Sequence, residues 1–368
     1  MTRTASAALL PLRDALPLLC GDVAPVAPCR LPLAAAQGRI SAEAVAAPCD
    51  RPDRFSALRD GFAVEAASVG GASPYAPVTL VPPPPWIEAG DSLPTGTDAV
   101  LLPEAFEGGA VVADVAVREG VRAPGEEIGA GEILIAAGSR IGALQRLGLA
   151  AAGLDSVTVR LPRLRILSTR APALEPLASL IARLVEDHGG RAEIAATGSG
   201  PDAIAEAIAG SVRDGASDAV LVLGGSGFGR TDHSAEALGR AGALRAHGIA
   251  LRPGETAAIG AVQGRPALIL PGRPEAALAV FLALGRPLLA RLTGGQAAAP
   301  RPARLLRKIA SSIGLTEVIF VRGRPDGVEP LGGAELPLRR LIEADGVVMV
   351  APEREGYPAG EVIEVWPL

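Results

Sequence analysis

Short apolar runs alternate with segments of helical spacing between Leu164 and Leu292. Continuous apolar runs that end at a turn are typical of strands buried on both faces, and the segments between them have the period of amphipathic helices. The predicted strands are Arg165–Thr169, Ala192–Ala196, Asp218–Leu223 and Pro266–Leu270. The predicted helices are Leu174–His188, Asp202–Asp214, Ser234–Ala241 and Glu275–Leu292. This alternation predicts an α/β fold with a doubly wound, mostly parallel sheet.

The flanking regions have shorter patterns that glycine and proline interrupt. Helical spacing runs from about Ser6 to Leu19, where Pro11 could start the helix, and Leu33–Val45 predicts a strand and a short helix. Residues Gly142–Ala152 predict a helix that ends at Gly153. The other predicted strands are Val78–Val81, Ala99–Leu102, Ala110–Val117 and Ser156–Val159, and, beyond a linker at 297–302, Ile309–Leu315, Val318–Val321, Gly346–Ala351 and Val362–Val365.

The stretch from Asp218 to Asp232 carries the clearest chemical signal. Its apolar first half breaks into a loop that contains Gly224, Gly225, Gly227 and Gly229. Glycines let backbone N–H groups turn towards a ligand, which suits an oxyanion such as phosphate. A second strand ends at 271–274, in the order Pro-Gly-Arg-Pro. Two such strand ends predict a binding crevice at the carboxyl edge of the sheet.

Composition narrows the classes of partner. The chain has 368 residues, of which 49% are hydrophobic and 3% aromatic, and its net charge is −5. These values do not fit the basic footprint or the aromatic platforms that nucleic-acid binding requires. No uninterrupted apolar run approaches the roughly 18 residues of a membrane span. We therefore expect small ligands and protein partners, with neither nucleic acid nor a membrane.

Cysteine usage and the first residues predict the compartment. Cys20, Cys29 and Cys49 have irregular spacing without a CxxC motif, which argues against a disulfide scaffold or a zinc site and favours reduced thiols. Arg13 and Asp14 interrupt the apolar residues near the N-terminus, so a signal peptide is not predicted. We interpret the chain as cytoplasmic.

Several motifs, in register along almost the whole chain, resemble the molybdopterin molybdenumtransferase family of the MoeA and gephyrin E-domain type. Residues 56–64 resemble its SAMDGYAV motif, residues 90–100 resemble TGAPLPEGADAV, and residues 122–128 resemble RxxGEDI. In the sheet region, Ser168 and Thr169 match the start of STGDEL, 224–232 resembles GGVSVGDYD, 252–255 resembles KPGK and 270–274 resembles LPGNP. Residues 344–347 and 359–361 look like the last domain of the family.

The resemblance implies an elongated molecule of four parts that forms a homodimer. A discontinuous α+β N-terminal domain would comprise 1–47 and 119–161, and a small β-rich domain would comprise 48–118. A molybdopterin-binding α/β domain at 162–296 and a C-terminal β domain at 303–368 would follow. In the family, the small β domain of the partner subunit completes the site on the sheet domain.

The resemblance also implies a reaction in molybdenum-cofactor biosynthesis. This reaction inserts molybdate into adenylylated molybdopterin with Mg²⁺ and releases AMP. The implied catalytic residues are Asp60, Glu127 and Asp232, and Asp60 and Asp232 are the implied metal ligands. The implied pterin-binding residues are Ser168, Thr169, Gly224, Gly225, Ser226, Gly227, Gly229, Arg230, Arg252, Pro271, Gly272, Arg273 and Pro274. Other cofactor-biosynthesis proteins or a molybdoenzyme are implied as further partners.

The chain departs from the family pattern in one direction. Arg170 begins the segment that replaces GDE of STGDEL, Arg230 replaces an Asp, and Arg273 replaces an Asn. Arginine binds phosphate through two donors and does not bind Mg²⁺. We infer a site that has exchanged metal ligands for anion clamps. This leaves open a catalytically impaired paralogue that binds, carries or senses a pterin, and an interaction protein whose dimer surface is functional.

The candidate side chains also have ordinary structural explanations. Asp60 could stabilise a turn, Asp232 could cap the helix from Ser234, and Glu127 could be solvated. Arg230 and Arg273 could be surface arginines. The three histidines have no Asp or Ser at a recognisable spacing, so no catalytic triad is predicted, and His247 is interpreted as structural.

Overall fold

The first part of the chain forms a small α+β unit. The computed structural model describes residues 9–170, 172–296 and 299–368. The elements before residue 50 are β1 (Leu10–Pro11), α1 (Leu12–Cys20), β2 (Pro28–Pro32), α2 (Leu33–Ala36), β3 (Ile40–Ser41) and β4 (Val45–Ala46). Helix α1 packs on the core of the central sheet through Ala15, Leu19 and Cys20. The part of the predicted helix before residue 9 lies outside the described residues, and the described part begins directly after Pro11.

A β-rich unit follows and leads back to the first unit. Its strands are β5 (Ser56–Ala57), β6 (Gly61–Val64), β7 (Trp86–Ile87), β8 (Ala99–Leu101), β9 (Phe106–Glu107), β10 (Ala110–Val111) and β11 (Val121–Arg122). Strand β6 pairs with β7 and β8, while β5 pairs with β11 and β9 with β10. The predicted strand at Val78–Val81 is wrong, since only Val78 forms an isolated bridge, to Val111. Prolines at 82–85 supply no N–H for a longer ladder.

The return segment completes the first unit. It contains β12 (Ile133–Ile135), α3 (Ala143–Ala151) and β13 (Ser156–Arg160). Strand β13 lies between β2 and β3, and β12 pairs with β4. Helix α3 ends before Gly153, whose φ of 85° is the left-handed conformation that glycine adopts readily. The side chains of Leu33, Ile141, Leu149 and Val159 form the core of this unit.

The central unit is an α/β sheet flanked by helices. Its elements are β14 (Arg163–Ser168), α4 (Glu175–Asp187), β15 (Arg191–Ala196), α5 (Pro201–Val212), β16 (Ala219–Leu223), α6 (Ser234–Ala241), β17 (Ala243–His247), β18 (Ile249–Arg252), β19 (Ala258–Val262), β20 (Arg265–Leu270), α7 (Pro274–Val280) and α8 (Arg286–Thr293). The strand order is β15-β14-β16-β20-β19-β17. Strands β15, β14, β16 and β20 are mutually parallel, whereas β19 and β17 run antiparallel. The predicted mostly parallel sheet is confirmed.

The helix predicted at Glu275–Leu292 contains a local irregularity. A π-helical turn at Phe281–Gly285 joins α7 to α8, so the helical stretch from Pro274 to Thr293 is continuous. This stretch is long and apolar enough to cross a membrane by length and composition alone, but 83% of its apolar window is buried inside the protein. It is therefore a core helix, packed against α1 and the sheet.

The C-terminal strands build a second large sheet. They are β21 (Arg301–Arg304), β22 (Ile309–Ala310), β23 (Thr316–Arg324), β24 (Gly327–Gly332), β25 (Gly346–Val350), β26 (Gly356–Tyr357) and β27 (Val362–Pro367), with a short helix α9 (Leu338–Leu341). The sheet order is β1-β18-β23-β25-β27-β21, and β24 pairs with β23. Strand β21 corrects the predicted linker, because Arg301 and Pro302 already pair with β27. Residues 297 and 298 lie outside the described residues.

The cysteines are free thiols in the structure. Cys20 is buried at the end of α1, and its burial raises the thiol pKa to about 11. Cys29 is exposed and Cys49 is intermediate.

Candidate functional site

Three loops meet at the carboxyl edge of the central sheet. Ser168, Leu223 and Leu270 are the last residues of β14, β16 and β20, and they lie side by side in the ladder. The Gly224 N–H donates to the Leu270 carbonyl at 2.9 Å, and the Thr169 N–H donates to the Leu223 carbonyl at 3.1 Å. The loops after β16 and β20 open into a cleft of about 510 Å³, the glycine-loop cleft. Parallel strands thus bring distant motifs to one edge, as predicted.

The conformation of the loop explains its glycines. Gly224 and Gly225 have φ values of 89° and 63°, which residues with a side chain rarely adopt. A Cβ at Gly227 would lie 2.6 Å from Oδ2 of Asp232, and a Cβ at Gly229 would lie 2.8 Å from the same atom. The Asp232 carboxylate therefore lies under the loop, where it accepts the Gly229 N–H at 3.0 Å. This geometry explains why positions 224, 225, 227 and 229 are all glycine.

The loop presents unused hydrogen-bond donors to the cleft. Among the residues that the structure describes, the N–H groups of Gly225, Ser226 and Gly227 donate to no protein acceptor, and all three residues line the cleft. Converging N–H groups form a concave anion site, and an oxyanion would satisfy donors that the fold leaves free. The geometry supports the predicted anion cradle.

Side chains behind the loop hold it in place. The hydroxyl groups of Ser226 and Thr256 form a hydrogen bond of 2.9 Å, and Nε2 of His247 lies 2.8 Å from the Ser226 carbonyl oxygen. The His247 ring also stacks on Phe228 with 4.8 Å between centroids. The Ser234 hydroxyl donates to the Gly224 carbonyl at 2.7 Å. His247 thus positions the loop, in agreement with its structural interpretation.

The charged groups at this cleft are paired within the chain. Nη2 of Arg170 donates to the Thr231 hydroxyl at 2.9 Å and lies 3.5 Å from Oδ1 of Asp232. Nε of Arg273 lies 2.9 Å from Oε1 of Glu275, a carboxylate with only 5% of its surface exposed. Each arginine thus has nitrogen atoms beyond its ion pair and lines the cleft. Both can add positive charge to an anion that the loop holds.

Other predicted binding residues lie beside this cleft. Arg230 is exposed at the loop and does not line the cleft, and Arg252 lies between Glu255 and Glu317 at 3.9 and 3.7 Å. Ser168 is buried, and its hydroxyl has no partner among the described residues. Pro271, Gly272 and Arg273 line the cleft, whereas Pro274 begins α7.

A second cleft of about 590 Å³ adjoins the first and shares Arg170 and Gly225 with it. Thr169 lines this neighbouring cleft, together with residues that sequence analysis did not select: Ser199, Gly200, Ile204, Thr231 and His233. Leu174, Thr256 and Ala276 also line the glycine-loop cleft and were not predicted from the sequence. The Thr-Gly-Ser-Gly turn at 197–200, directly after β15, was the available signal, because it follows a parallel strand as the glycine loop does.

Asp60 and Glu127 lie in other parts of the chain. Asp60 is exposed and accepts the Ala89 N–H at 2.8 Å, which holds a turn. Glu127 is exposed and forms an ion pair with Arg122 at 3.3 Å. Neither lines a cleft with Asp232. Asp232 does not cap α6, whose N-cap is His233 without a side-chain hydrogen bond. The roles proposed for these three acids stay predictions.

The carboxylates at the glycine-loop cleft do not fit a Mg²⁺ site within one chain. Magnesium favours several oxygen ligands in octahedral geometry. Asp232, Glu255 and Glu275 each already bind a backbone N–H or an arginine. Across the described ranges 9–170, 172–296 and 299–368, no three His, Cys, Asp or Glu side chains form a group that could hold a metal ion.

The fold and the cleft define a multidomain α/β protein with a glycine loop that lines a cleft at the carboxyl edge of its central sheet. Three family descriptions match the chain in order. They are "MoeA N-terminal region (domain I and II)" at residues 10–153, "Probable molybdopterin binding domain" at 175–291 and "MoeA C-terminal region (domain IV)" at 302–368.

Similar proteins agree with this assignment. Molybdopterin molybdenumtransferase 2 of Mycobacterium tuberculosis is 31% identical over 397 residues, which cover 93% of this chain and 95% of that protein. Molybdopterin molybdenumtransferase 1 of the same organism is 28% identical over 405 residues, covering 92% and 94%. A crystal structure of a molybdopterin biosynthesis MoeA protein from Pyrococcus horikoshii has a TM-score of 0.76 and 26% identity, covering 98% and 99%. The chain belongs to the MoeA family of molybdenum-cofactor biosynthesis proteins.

Proposed function

We propose that this chain is a molybdopterin molybdenumtransferase that inserts molybdate into adenylylated molybdopterin and releases AMP. The names of the two mycobacterial relatives support this proposal over the impaired paralogue, because the similarity extends over more than nine-tenths of each chain. Molybdopterin and molybdate are substrates in this proposal. A cytoplasmic location is part of the same proposal.

The glycine loop is the observation that carries the proposal. Gly225, Ser226 and Gly227 line a cleft of about 510 Å³ together with Arg170 and Arg273, and their N–H groups donate to no acceptor among the described residues. We expect these groups to hold the phosphate end of the pterin. Breaking the adenylyl–phosphate bond leaves negative charge on the phosphate oxygens, and preorganised donors stabilise charge where it develops. The chain would contribute by binding and orienting the pterin and by neutralising the negative charge on its phosphate.

The acidic groups have a more limited role in the proposal. Asp232 stabilises the loop conformation, since its Oδ2 accepts a hydrogen bond from the Gly229 N–H. Asp60 and Glu127 would reach a glycine-loop cleft only as groups of a second copy, which is the arrangement that the family resemblance implies. A homodimer is therefore part of the proposal. Because the described residues of one chain offer no set of carboxylates that fits Mg²⁺, we route no step through that ion.

The direct test measures AMP. Purified protein is incubated with adenylylated molybdopterin and molybdate, with and without a chelator, and AMP is quantified. We expect AMP release that depends on molybdate. No AMP release from folded protein would contradict the proposal. If the same protein still bound the pterin, the binding paralogue would become the better explanation.

Complementation gives an independent test in cells. A molybdenumtransferase-null strain that expresses this chain should regain growth that depends on a molybdoenzyme. Failure despite soluble expression would contradict the transferase assignment. Pulldown from the same strain would test whether other cofactor-biosynthesis proteins or a molybdoenzyme bind the chain, which stays a prediction.

A further inference from the structure

A separate cleft of about 540 Å³ lies where three parts of the chain meet. Residues 138–140 of the first unit form one wall, and α4 and α8 of the central unit form another. Pro367 and Leu368, at the end of the C-terminal sheet, contribute the third. This junction cleft shares no lining residue with the glycine-loop cleft. Its chemistry is therefore independent of the proposed transferase site.

A buried arginine lines the junction cleft. Arg286 has only 6% of its surface exposed, and its Nη1 donates to the Pro367 carbonyl at 2.9 Å. Its guanidinium carbon lies 5.4 Å from the ring centroid of Trp366. Among the described residues, Arg286 forms no ion pair and makes no other hydrogen bond, so most of its donors have no protein acceptor. A buried charge without a counter-ion is costly, and a bound anion would remove that cost.

A second arginine and a histidine also line the junction cleft. Arg140 lines the cleft and donates through Nη1 to the Asp187 carbonyl, and His188 lines it with Nδ1 2.7 Å from the Leu184 carbonyl. The carboxylate of Asp187 already pairs with Arg183 at 3.1 Å. Burial lowers the pKa of His188, and the charges of Arg286 and Arg140 lower it further. Among the described residues, Asp187 is thus paired with Arg183, whereas neither Arg140 nor Arg286 forms an ion pair with a carboxylate.

We propose that the junction cleft binds a small, doubly charged tetrahedral oxyanion, either free or as a phosphate monoester. Arginine presents a planar fork of donors that matches two oxygens of such an anion. The buried Arg286 and the exposed Arg140 supply donors from two units of the fold, so binding would connect the first unit to the central one. The proposal goes beyond the transferase function and does not depend on it.

Isothermal titration of the full chain tests the proposal. Inorganic phosphate, molybdate and AMP are titrated separately into the wild type and into Arg140→Gln, Arg286→Lys and Gly227→Val. Gly227→Val disturbs the glycine loop and leaves the junction cleft intact. Arg30→Gln is the matched control, since it removes an exposed arginine of the first unit that lies outside both clefts. Thermal unfolding of each variant establishes that it is folded.

We expect one binding event that survives Gly227→Val and Arg30→Gln and weakens about tenfold or more in Arg140→Gln, because charged hydrogen bonds are lost. Arg286→Lys keeps the charge but loses the fork, and should also weaken binding. Binding of phosphate or molybdate without AMP would assign a free oxyanion, and tighter binding of AMP would assign a monoester. The proposal is overturned if all saturable binding disappears in Gly227→Val, or if folded Arg140→Gln binds like the wild type.

Discussion

The glycine-loop cleft and the junction cleft have similar volumes, about 510 and 540 Å³, but they handle charge differently. At the glycine loop, Arg273 pairs with Glu275 and Arg170 lies near Asp232, so free backbone N–H groups provide the additional attraction for an anion. At the junction, the proposed attraction comes from Arg286, a buried arginine that has no carboxylate partner within the described ranges. One cleft depends on backbone shape and the other on uncompensated charge.

Because of this difference, we expect the two clefts to respond differently to mutation. A site built from main-chain donors should keep its anion affinity when surface charges change. It should lose that affinity when the loop moves, because only the loop conformation aligns the N–H groups. A site built from side-chain charge tolerates small backbone shifts and fails when the charge is removed. The following predictions test this contrast.

The largest effect is expected for Gly227→Val. The new Cβ would lie 2.6 Å from Oδ2 of Asp232, so the loop must move and its N–H groups lose their alignment. We expect AMP release to fall about 100-fold, since misplacement by about 1 Å has effects of this size. Steady-state kinetics of AMP release measures the change.

Gly148→Ala is the matched control for that variant. Gly148 lies inside α3, and nothing lies within 4 Å of a Cβ added there. This change should leave AMP release unaltered and stabilise the protein by about 0.5–1 kcal/mol, because alanine favours helix. If Gly227→Val folded and retained normal activity, backbone shape would not determine the glycine-loop cleft.

A smaller effect is expected from the ion pair at the start of α7. Arg273→Ala leaves the Glu275 carboxylate buried without its partner, and we expect a loss of about 1–3 kcal/mol in the free energy of unfolding. Adding Glu275→Gln to this variant should recover most of that loss, because the neutral amide is easier to bury. Chemical denaturation measures both.

Pterin affinity then separates the two roles of Arg273. If Arg273 also binds the substrate, affinity should stay low in the double variant although stability returns. Recovery of both stability and affinity would show that Arg273 only compensates Glu275. Glu275→Gln alone is the control, since it leaves the arginine in place.

The smallest effect concerns pH and the junction cleft. The native pKa of His188 lies below its ordinary 6.5 because of burial first and of the charges of Arg286 and Arg140 next, although the hydrogen bond to the Leu184 carbonyl and the charge of Asp187 raise it. The unfolded chain therefore takes up the proton first as the pH falls. The contribution of His188 to stability is fully present above about pH 6.5 and is lost as the pH falls towards the native pKa.

Denaturation curves at several pH values measure this contribution. The stability of the His188→Gln variant should decline less at acidic pH than that of the wild type. Phosphate added to the wild type should also reduce the decline, because a bound anion would raise the native pKa of His188. An identical pH dependence in the wild type and His188→Gln would contradict the stated shift.

The sequence predicted the parallel part of the sheet well. Strands such as Ala219–Leu223 are apolar at every position, and glycine marks where the loop begins. The antiparallel strands β17 and β19 are as long as β16, but they were missed because their pairing depends on close backbone approach. A Cβ at Gly260 would collide with the Ala243 carbonyl oxygen. Such a contact between strands about 17 residues apart leaves no local pattern.

The candidate site was predictable where it depends on backbone conformation. Gly224, Gly225, Gly227 and the turn at 271–273 were selected, and they line one cleft. Gly229 was also selected but does not line that cleft. The positions of Arg230 and Arg252 were not predictable, because a side chain near a loop can point towards ligand, solvent or an acid elsewhere in the fold. Nε of Arg252 lies 3.7 Å from Oε1 of Glu317, its cross-strand neighbour on β23, which is 65 residues later in the chain. Contacts of this kind join segments that the sequence separates.

Strand β18 gives the molecule an unusual internal connection. It lies in the chain between two strands of the central sheet, yet it pairs with β1 and β23 in the C-terminal sheet. Directly after it come Gly254, Glu255 and Thr256, which line the glycine-loop cleft. The C-terminal strands therefore act as an anchor for one wall of that cleft. Cutting them away would expose an edge of β18 and release this wall, so the last strands of the chain belong to the mechanical frame of the site.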